Sequence, residues 1–162
     1  MKVARVAAVV VAVVGVGALG AWLVRTDPIG PIAGRALTGP EAPYPDDWRF
    51  SDAAYTIAVE TNPADPHSVT TFAFLHEGKL HIPAMNGSGK RWTQDALANP
   101  NVRIKVGDTV YPARLVRIEP TDLEPYVDSA ARKYAQMASA LESGELPDDI
   151  WLFRVEPRTP AR

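Results

Sequence analysis

The chain has 162 residues, no cysteine and a formal net charge of −2. The lack of cysteine excludes disulfide bonds, thiolate nucleophiles and cysteine-ligated zinc. Apart from Lys2, Arg5 and Arg25, which flank an apolar run near the N-terminus, 14 basic residues stand against 19 acidic ones, a net charge of −5. This balance argues against a nucleic-acid binder. The length of the remainder suits one domain with a single core.

The first predicted element is a transmembrane helix within residues 1–25. Residues 6–24 form an unbroken run of apolar residues and glycine without a single charge. At about 1.5 Å per residue, a helix of this run spans about 28 Å, close to the bilayer core of about 30 Å. We therefore expect residues 1–25 to be a single-pass anchor that contacts membrane lipid through residues 6–24.

The charges around this run predict its orientation. Lys2, Arg5 and the amino terminus precede the run, which favours a cytoplasmic N-terminus and a globular domain on the exported side. A cleaved signal peptide is the alternative, because the basic start fits one and residues 18–20 form a small-residue cleavage site. The run is longer than the usual signal core of about 7–15 residues, which favours the anchor.

Residues 26–47 are rich in proline and glycine. Proline fixes φ and removes a hydrogen-bond donor, so this composition predicts a semi-extended tether that holds the domain away from the membrane. The segment could instead wrap the domain, because Ile29, Ile32 and Leu37 could dock on it. The prolines are Pro28, Pro31, Pro40, Pro43 and Pro45.

Residues 48–162 are predicted to form the globular domain. Runs of β-branched and aromatic residues predict strands, and Gly-containing turns predict two hairpins. Many short hairpins in a small sheet are typical of a barrel, so we expect a mainly β (α+β) domain, a small barrel with two helices. The predicted elements are a strand at 54–61, a hairpin of 69–76 with 79–85, a helix at 90–98, a hairpin of 102–106 with 109–118, a helix at 123–141 and a strand at 150–155.

The loop Gly87–Arg91 is the best candidate for an anion site. Glycines let a ligand approach the backbone closely, and free N–H groups at a helix start favour an anion. Lys90 and Arg91 add two cations, and a guanidinium can grip phosphate through two parallel hydrogen bonds. The alternative is a solvent-exposed loop in which Ser88 caps the helix.

Other side chains allow both a binding and a structural interpretation. Trp92 could stack on a cofactor ring or belong to the core of the domain. Ser68, Thr70 and Thr71 could bond a phosphate or be ordinary strand residues. His67, His76 and His81 are too scattered for a metal motif, and the last two are expected to be exposed. No catalytic acid or base, and no substrate, is indicated.

Residues 81–118, HIPAMNGSGKRWTQDALANPNVRIKVGDTVYPARLVRI, carry a resemblance to a known family. They contain a strand, a small polar loop, a short helix that ends in Ala98-Asn99-Pro100, and two further strands. This order resembles the flavin-binding split β-barrel superfamily, which includes pyridoxamine-phosphate oxidase-like and deazaflavin-dependent nitroreductase-like proteins. The resemblance extends over residues 55–118.

The resemblance implies a split β-barrel that binds FMN or a deazaflavin at a homodimer interface and acts as an oxidoreductase. Ser88, Lys90 and Arg91 would hold the cofactor phosphate, with Ser68, Thr70 and Thr71 near the same site. One departure from the family pattern favours a protein that binds no cofactor. Residues 62–67 contain an acid and neither Lys nor Arg, whereas the deazaflavin-type members carry a basic segment there. The alternative is a cofactor-free barrel that serves as a binding or scaffold module at the membrane surface.

Overall fold

The computed structural model describes residues 26–119, 122–143 and 147–159. The predicted transmembrane anchor in residues 1–25 lies outside the described residues. Within the described ranges, no helix has the length and apolar character needed to cross a membrane.

The described residues form seven strands and three α-helices. The strands are β1 (Ile57–Thr61), β2 (His67–Thr71), β3 (Phe74–His76), β4 (Lys79–Met85), β5 (Asn101–Val106), β6 (Thr109–Arg117) and β7 (Ile150–Glu156). The helices are α1 (Arg91–Ala98), α2 (Val127–Lys133) and α3 (Ala135–Ser143), with short 3-10 helices at Arg49–Ala53, Gly87–Gly89 and Glu124–Tyr126.

All seven strands belong to one antiparallel sheet in the order β2-β1-β5-β6-β7-β4-β3. The outer strands β2 and β3 are joined by Phe72 and Ala73 alone. In a flat sheet the outer strands would be about 29 Å apart, yet three residue steps span at most about 11 Å. The sheet must therefore curl until its two ends meet. This closure confirms the predicted mainly β split barrel.

The break between β2 and β3 corrects one sequence prediction. Residues 69–76 were expected to be one strand of a hairpin, which is wrong, because Phe72 and Ala73 leave the sheet. The backbone of Ala73 is buried and finds other partners. Its N–H donates to the hydroxyl of Tyr134 at 3.2 Å, and its carbonyl accepts from Lys133 Nζ at 2.8 Å. These bonds replace the ladder and let the chain cross from one end of the sheet to the other.

The second predicted helix is also interrupted. The pattern predicted one helix over residues 123–141, whereas the structure has a 3-10 turn at Glu124–Tyr126 followed by α2 and α3. Tyr134 separates α2 from α3, with φ −130° and ψ 85°. Its side chain is buried, and its hydroxyl reaches the β2–β3 link. The predicted helix is therefore interrupted at Tyr134, the residue whose hydroxyl makes these tertiary hydrogen bonds.

The Pro/Gly-rich segment 26–47 packs on the barrel, and of the three residues expected to dock only Leu37 does, because Ile29 and Ile32 are exposed. Gly34 forms a two-bond antiparallel bridge with Ser68 of β2, with N···O distances of 2.8 and 3.2 Å. Leu37 is buried, and its N–H donates to the Glu60 carboxylate at 2.6 Å. The segment therefore covers part of the β2 edge and contributes to the core.

Ion pairs fasten the same segment to β5. The Arg103 guanidinium bridges two carboxylates, that of Glu60 at 2.8 Å and that of Glu41 at 2.7 Å. Lys105 Nζ lies 2.6 Å from the carboxylate of Asp27. Together with the Gly34–Ser68 bridge, these contacts hold the segment against β2 and β5 of the sheet.

Candidate anion-binding cleft

Packing under its first residue fixes the loop that precedes α1. The Cα of Gly87 lies so close to Trp151 that a Cβ there would overlap the indole ring. The Gly87 N–H donates to the Asp149 carbonyl at 3.0 Å. Thr93 in α1 is fully buried and shares its hydroxyl proton between the carbonyls of Gly87 and Lys90. These contacts anchor the loop to Asp149 and Trp151 on one side and to α1 on the other.

A cleft of about 350 Å³ opens where this loop meets β2. It brings together residues that the sequence had marked as candidates in separate elements, namely Thr70 and Thr71 on β2 and Lys90, Arg91 and Trp92 at the start of α1. The remaining lining residues are His67, Val69, Gly30, Pro31, Ile32 and Ala33.

The two cations of the cleft differ in their partners. Lys90 is exposed and makes no ion pair with any described residue. Arg91 donates to the Asp65 carboxylate at 2.8 Å and lies 3.5 Å from that of Asp95. The side chains of Arg91 and Asp65 are 53% and 80% exposed. Such an exposed pair contributes about 0–1 kcal/mol, so Arg91 can exchange Asp65 for a ligand oxygen at small cost.

His67 adds a polar group to the cleft wall. Partial burial lowers the pKa of its imidazole, and the nearby Arg91 guanidinium lowers this pKa further. The ring is therefore neutral near pH 7. A neutral imidazole offers one donor and one acceptor, so His67 can bond a ligand without adding charge.

The two candidate serines, Ser68 and Ser88, do not line the cleft. Ser88 donates from its backbone N–H and its hydroxyl to one oxygen of Asp149, at 2.8 and 2.6 Å, and it is not among the lining residues of the cleft. These two bonds hold the pKa of the Asp149 carboxyl below its usual value. Ser68 is fully buried beneath Gly34, and its hydroxyl has no partner among the described residues. Neither hydroxyl faces the cleft.

Trp92 is 4% exposed and packs on Phe153, with 5.4 Å between the ring centroids. The core interpretation therefore fits Trp92, although the residue also lines the cleft. An exposed aromatic face on which a cofactor ring could stack is not present in the described lining.

The cleft residues fit the phosphate end of a cofactor. A free ammonium and an exchangeable guanidinium converge there beside Thr71, which shares a face of β2 with His67 and Val69. The volume lies near the lower end of ligand pockets, which span about 300–1,000 Å³. The wall formed by residues 30–33 limits the room for the rest of a large cofactor.

Sequence reasoning did not foresee this wall. Residues Ile29 and Ile32 exchange two backbone hydrogen bonds of 3.0 Å each around Gly30 and Pro31. Gly30 has φ +52°, which suits the first central position of a type II′ turn, and proline suits the second. A Gly-Pro pair between two isoleucines was the signal that could have predicted a tight turn there.

A second polar cluster lies away from the cleft. His81 was expected to be exposed, which is wrong, because its side chain is 3% exposed and stacks on Phe74. Burial lowers the pKa of His81 to about 4, and it carries no charge near pH 7. His76 lies beside it and bonds the Ser129 hydroxyl at 3.0 Å. Among the described residues, no group of His, Asp and Glu is arranged to hold a metal ion.

Comparisons with known proteins support the fold. No family model and no curated protein matches the sequence. A conserved hypothetical protein from Mycobacterium tuberculosis has a similar structure, with 15% identity and a TM-score of 0.53 over 68% of this chain and 77% of that one. The haem-storage protein from Vibrio cholerae gives 16% identity and a TM-score of 0.52 over 68% and 87%. An F420-H2-dependent reductase gives 22% identity and a TM-score of 0.49 over 64% and 95%. The likeness to the first two structures, whose TM-scores exceed 0.5, supports the split-barrel fold that the closed sheet shows.

Proposed function

We propose that the chain is a membrane-anchored split-barrel protein that binds FMN or a deazaflavin by its phosphate and acts as an oxidoreductase. One observation supports this above the others. The fold brings Thr70 and Thr71 of β2 into one cleft with Lys90, which precedes α1, and Arg91, its first residue. The homodimer implied by the family resemblance is part of the same proposal, and light scattering of the purified protein tests it.

Each cleft residue has a separate part in binding. Lys90 supplies a point charge to a phosphate oxygen, and Arg91 supplies a planar pair of donors once it leaves Asp65. Thr71, on the same face of β2 as His67, donates a hydroxyl proton, and neutral His67 can bond a polar edge of the ligand. A flavin-type cofactor, when bound, supplies the hydride chemistry, while the protein holds and orients it. We nominate no catalytic acid or base.

The second candidate is a cofactor-free binding or scaffold module at the membrane surface. Three observations favour it. Ser88 is already bonded to Asp149, Arg91 is already paired with Asp65, and residues 30–33 form one wall of the cleft. The lack of a basic residue in 62–67 points the same way.

Binding of the cofactor separates the two candidates. The full chain, purified in a mild detergent, is titrated with FMN and with a deazaflavin while cofactor fluorescence is followed. The first candidate predicts saturable binding that Lys90→Ala with Arg91→Ala weakens at least about tenfold, which is about 1.4 kcal/mol. No binding up to about 1 mM, an affinity of only about 4 kcal/mol, would support the scaffold module.

A matched control removes the same charge elsewhere. Lys79 and Arg49 are exposed and do not line the cleft. The double variant Lys79→Ala with Arg49→Ala therefore loses two positive charges outside the cleft, and we expect it to bind like the parent. If both double variants lose affinity equally, long-range charge rather than the cleft holds the ligand.

The proposal of a membrane anchor rests on the apolar sequence of residues 6–24. Its test is the distribution of the full chain between membrane and soluble fractions after an alkaline carbonate wash. A spanning helix keeps the chain in the membrane pellet. Release into the supernatant, or a mature N-terminus near residue 21, would favour the cleaved signal peptide.

A further inference from the structure

The described chain is fastened to the barrel from its first residues. The Thr26 carbonyl accepts a hydrogen bond from the Arg35 N–H at 2.6 Å. Asp27 pairs with Lys105 at 2.6 Å and accepts from the Thr38 N–H at 2.8 Å. In the sequence, the apolar run ends at residue 24, so residue 25 alone separates it from docked Thr26. Two residue steps, from residue 24 to Thr26, reach at most about 7.6 Å.

This short reach determines how close the barrel must be to a bilayer. The inference rests on the proposed anchor in residues 6–24. The headgroup layer on each side of the hydrocarbon core is about 5–8 Å thick. A chain that leaves the core at residue 24 therefore brings the barrel face around Thr26 to within contact of the headgroups. With this anchor, residues 26–47, which were predicted to hold the domain away from the membrane, leave no gap between the barrel and the headgroups.

An apolar turn lies on this part of the molecule. Ile29 and Ile32, at the base of the tight Gly30-Pro31 turn, are 64% and 46% exposed. The stem of the turn is packed closely, because a Cβ on Gly34 would overlap the Thr26 carbonyl. Two exposed isoleucines on a preformed turn need little further ordering to enter an apolar layer.

The charges beside the turn suit an anionic surface. Arg35 and Lys90 are exposed and make no ion pair with a described residue, and Lys90 lines the same cleft as Ile32. The acids of this region already have partners, since Asp27 pairs with Lys105 and Asp65 with Arg91. The uncompensated charge beside the isoleucines is therefore positive, as lipid phosphates require.

We propose that the turn formed by Ile29–Ile32 inserts into the headgroup region of the membrane that carries the anchor. Arg35 then lies on anionic phospholipid headgroups, and so does Lys90 whenever no cofactor phosphate occupies the cleft. The barrel then rests against the bilayer in a fixed orientation. The wall of the cleft formed by residues 30–33 lies at the lipid surface.

Because the chain has no cysteine, single labels can test this contact directly. The full chain is reconstituted in vesicles of equal parts phosphatidylcholine and phosphatidylglycerol. An environment-sensitive fluorophore is attached to Ile29→Cys, Ile32→Cys or, as control, Glu77→Cys in the exposed turn between β3 and β4. We expect a blue-shifted emission at 29 and 32, strongly quenched by lipids brominated on the acyl chains, and neither effect at 77.

The outcomes separate the inference from the anchor on which it rests. If the protein floats with the vesicles but the labels at 29 and 32 behave like the label at 77, the anchor stands and the inference fails. If the protein does not float, both fail. The role of charge is tested by Arg35→Ala with Lys90→Ala, which should abolish any gain in quenching that phosphatidylglycerol gives over phosphatidylcholine alone. An equal gain in parent and variant overturns the assignment of these two cations.

Discussion

The Cα of Gly87 lies against the indole of Trp151, where no side chain could fit. The Arg117 guanidinium also lies over this indole, 3.5 Å from the ring centroid. The tryptophan therefore contacts both a cation and the backbone of the loop that presents Lys90. A substitution at either position of the Gly87–Trp151 contact must move that loop.

We expect Gly87→Ala to destabilise the protein by about 1–3 kcal/mol, as overpacking does in a close-packed interior. Urea unfolding of the full chain in detergent measures the change. Adding Trp151→Val should restore part of the loss, because it removes the ring that the new methyl group meets. A double variant whose losses simply add would show that the contact is not the cause.

Much of the fold could be predicted because its elements are locally encoded. Val102, Ile104 and Val106 alternate with charged residues, and the structure has β5 over Asn101–Val106 with those three side chains buried. Helix α1 was predicted within one residue because Asn99-Pro100 ends it. The alternation of apolar and charged residues in a strand, and a proline that ends a helix, can both be recognised without knowing the rest of the chain.

The errors arose where tertiary bonds replace local ones. Ala73 sits in a run that favours a strand, and Tyr134 in a run that favours a helix. Each leaves its element because the backbone of Ala73 bonds the hydroxyl of Tyr134 across 61 positions of the chain. In the cleft, spacing suggested that Lys90 and Arg91 would lie together, but it could not show that Asp149 engages Ser88 or that Asp65 engages Arg91.

The Tyr134 hydroxyl gives a direct test of this tertiary network. Tyr134→Phe leaves the Ala73 N–H buried without its acceptor, and an unsatisfied buried donor costs about 1–3 kcal/mol. We expect a loss of that size in urea unfolding. Tyr44→Phe is the control, because the Tyr44 hydroxyl is only half-buried and its bond to the Val155 carbonyl is longer, at 3.3 Å. Equal losses in the two variants would contradict the assigned role.

Glu60 joins the N-terminal segment to the barrel. It is 5% exposed and accepts from both the Leu37 N–H and the Arg103 guanidinium. Glu60→Ala should cost about 1–3 kcal/mol, because it leaves the buried Leu37 N–H without its acceptor and leaves the half-buried Arg103 with Glu41 alone. It should also speed tryptic cleavage after Arg35, which is exposed on that segment. Glu60→Gln keeps an acceptor and should show a smaller effect on both measurements. Unchanged cleavage in both variants would mean that the segment is held by other contacts.

Asp65 competes with a ligand for Arg91. If the cleft binds a phosphate, Asp65→Asn should tighten that binding several-fold, because Arg91 no longer has to leave a carboxylate. Stability should change by less than about 1 kcal/mol, since the pair is exposed. Titration with FMN measures the affinity, and Asp108→Asn, an exposed acid in the β5–β6 turn, is the control for net charge. An equal gain in both variants would assign the effect to overall charge.

The lowered pKa of His81 determines how this residue makes the free energy of unfolding depend on pH. Burial lowers its pKa to about 4 in the folded protein, against about 6.5 for an unfolded histidine. The neighbouring His76, Arg154 and Lys79 lower the pKa further, while the Lys79 carbonyl, which accepts from His81 Nδ1, raises it.

Between these two pKa values the unfolded chain binds more protons than the folded one. The free energy of unfolding must therefore fall as the pH falls through this window, by about 2–3 kcal/mol in all, and level off with respect to this group below pH 4. Urea unfolding from pH 7 down to pH 4 measures the fall. His81→Phe, which keeps a ring against Phe74, should flatten the curve across the window. Asp27 and Asp149, whose pKa values are lowered, remain in both proteins and cancel in the comparison. Parallel curves for parent and variant would mean that the buried imidazole does not titrate with folding.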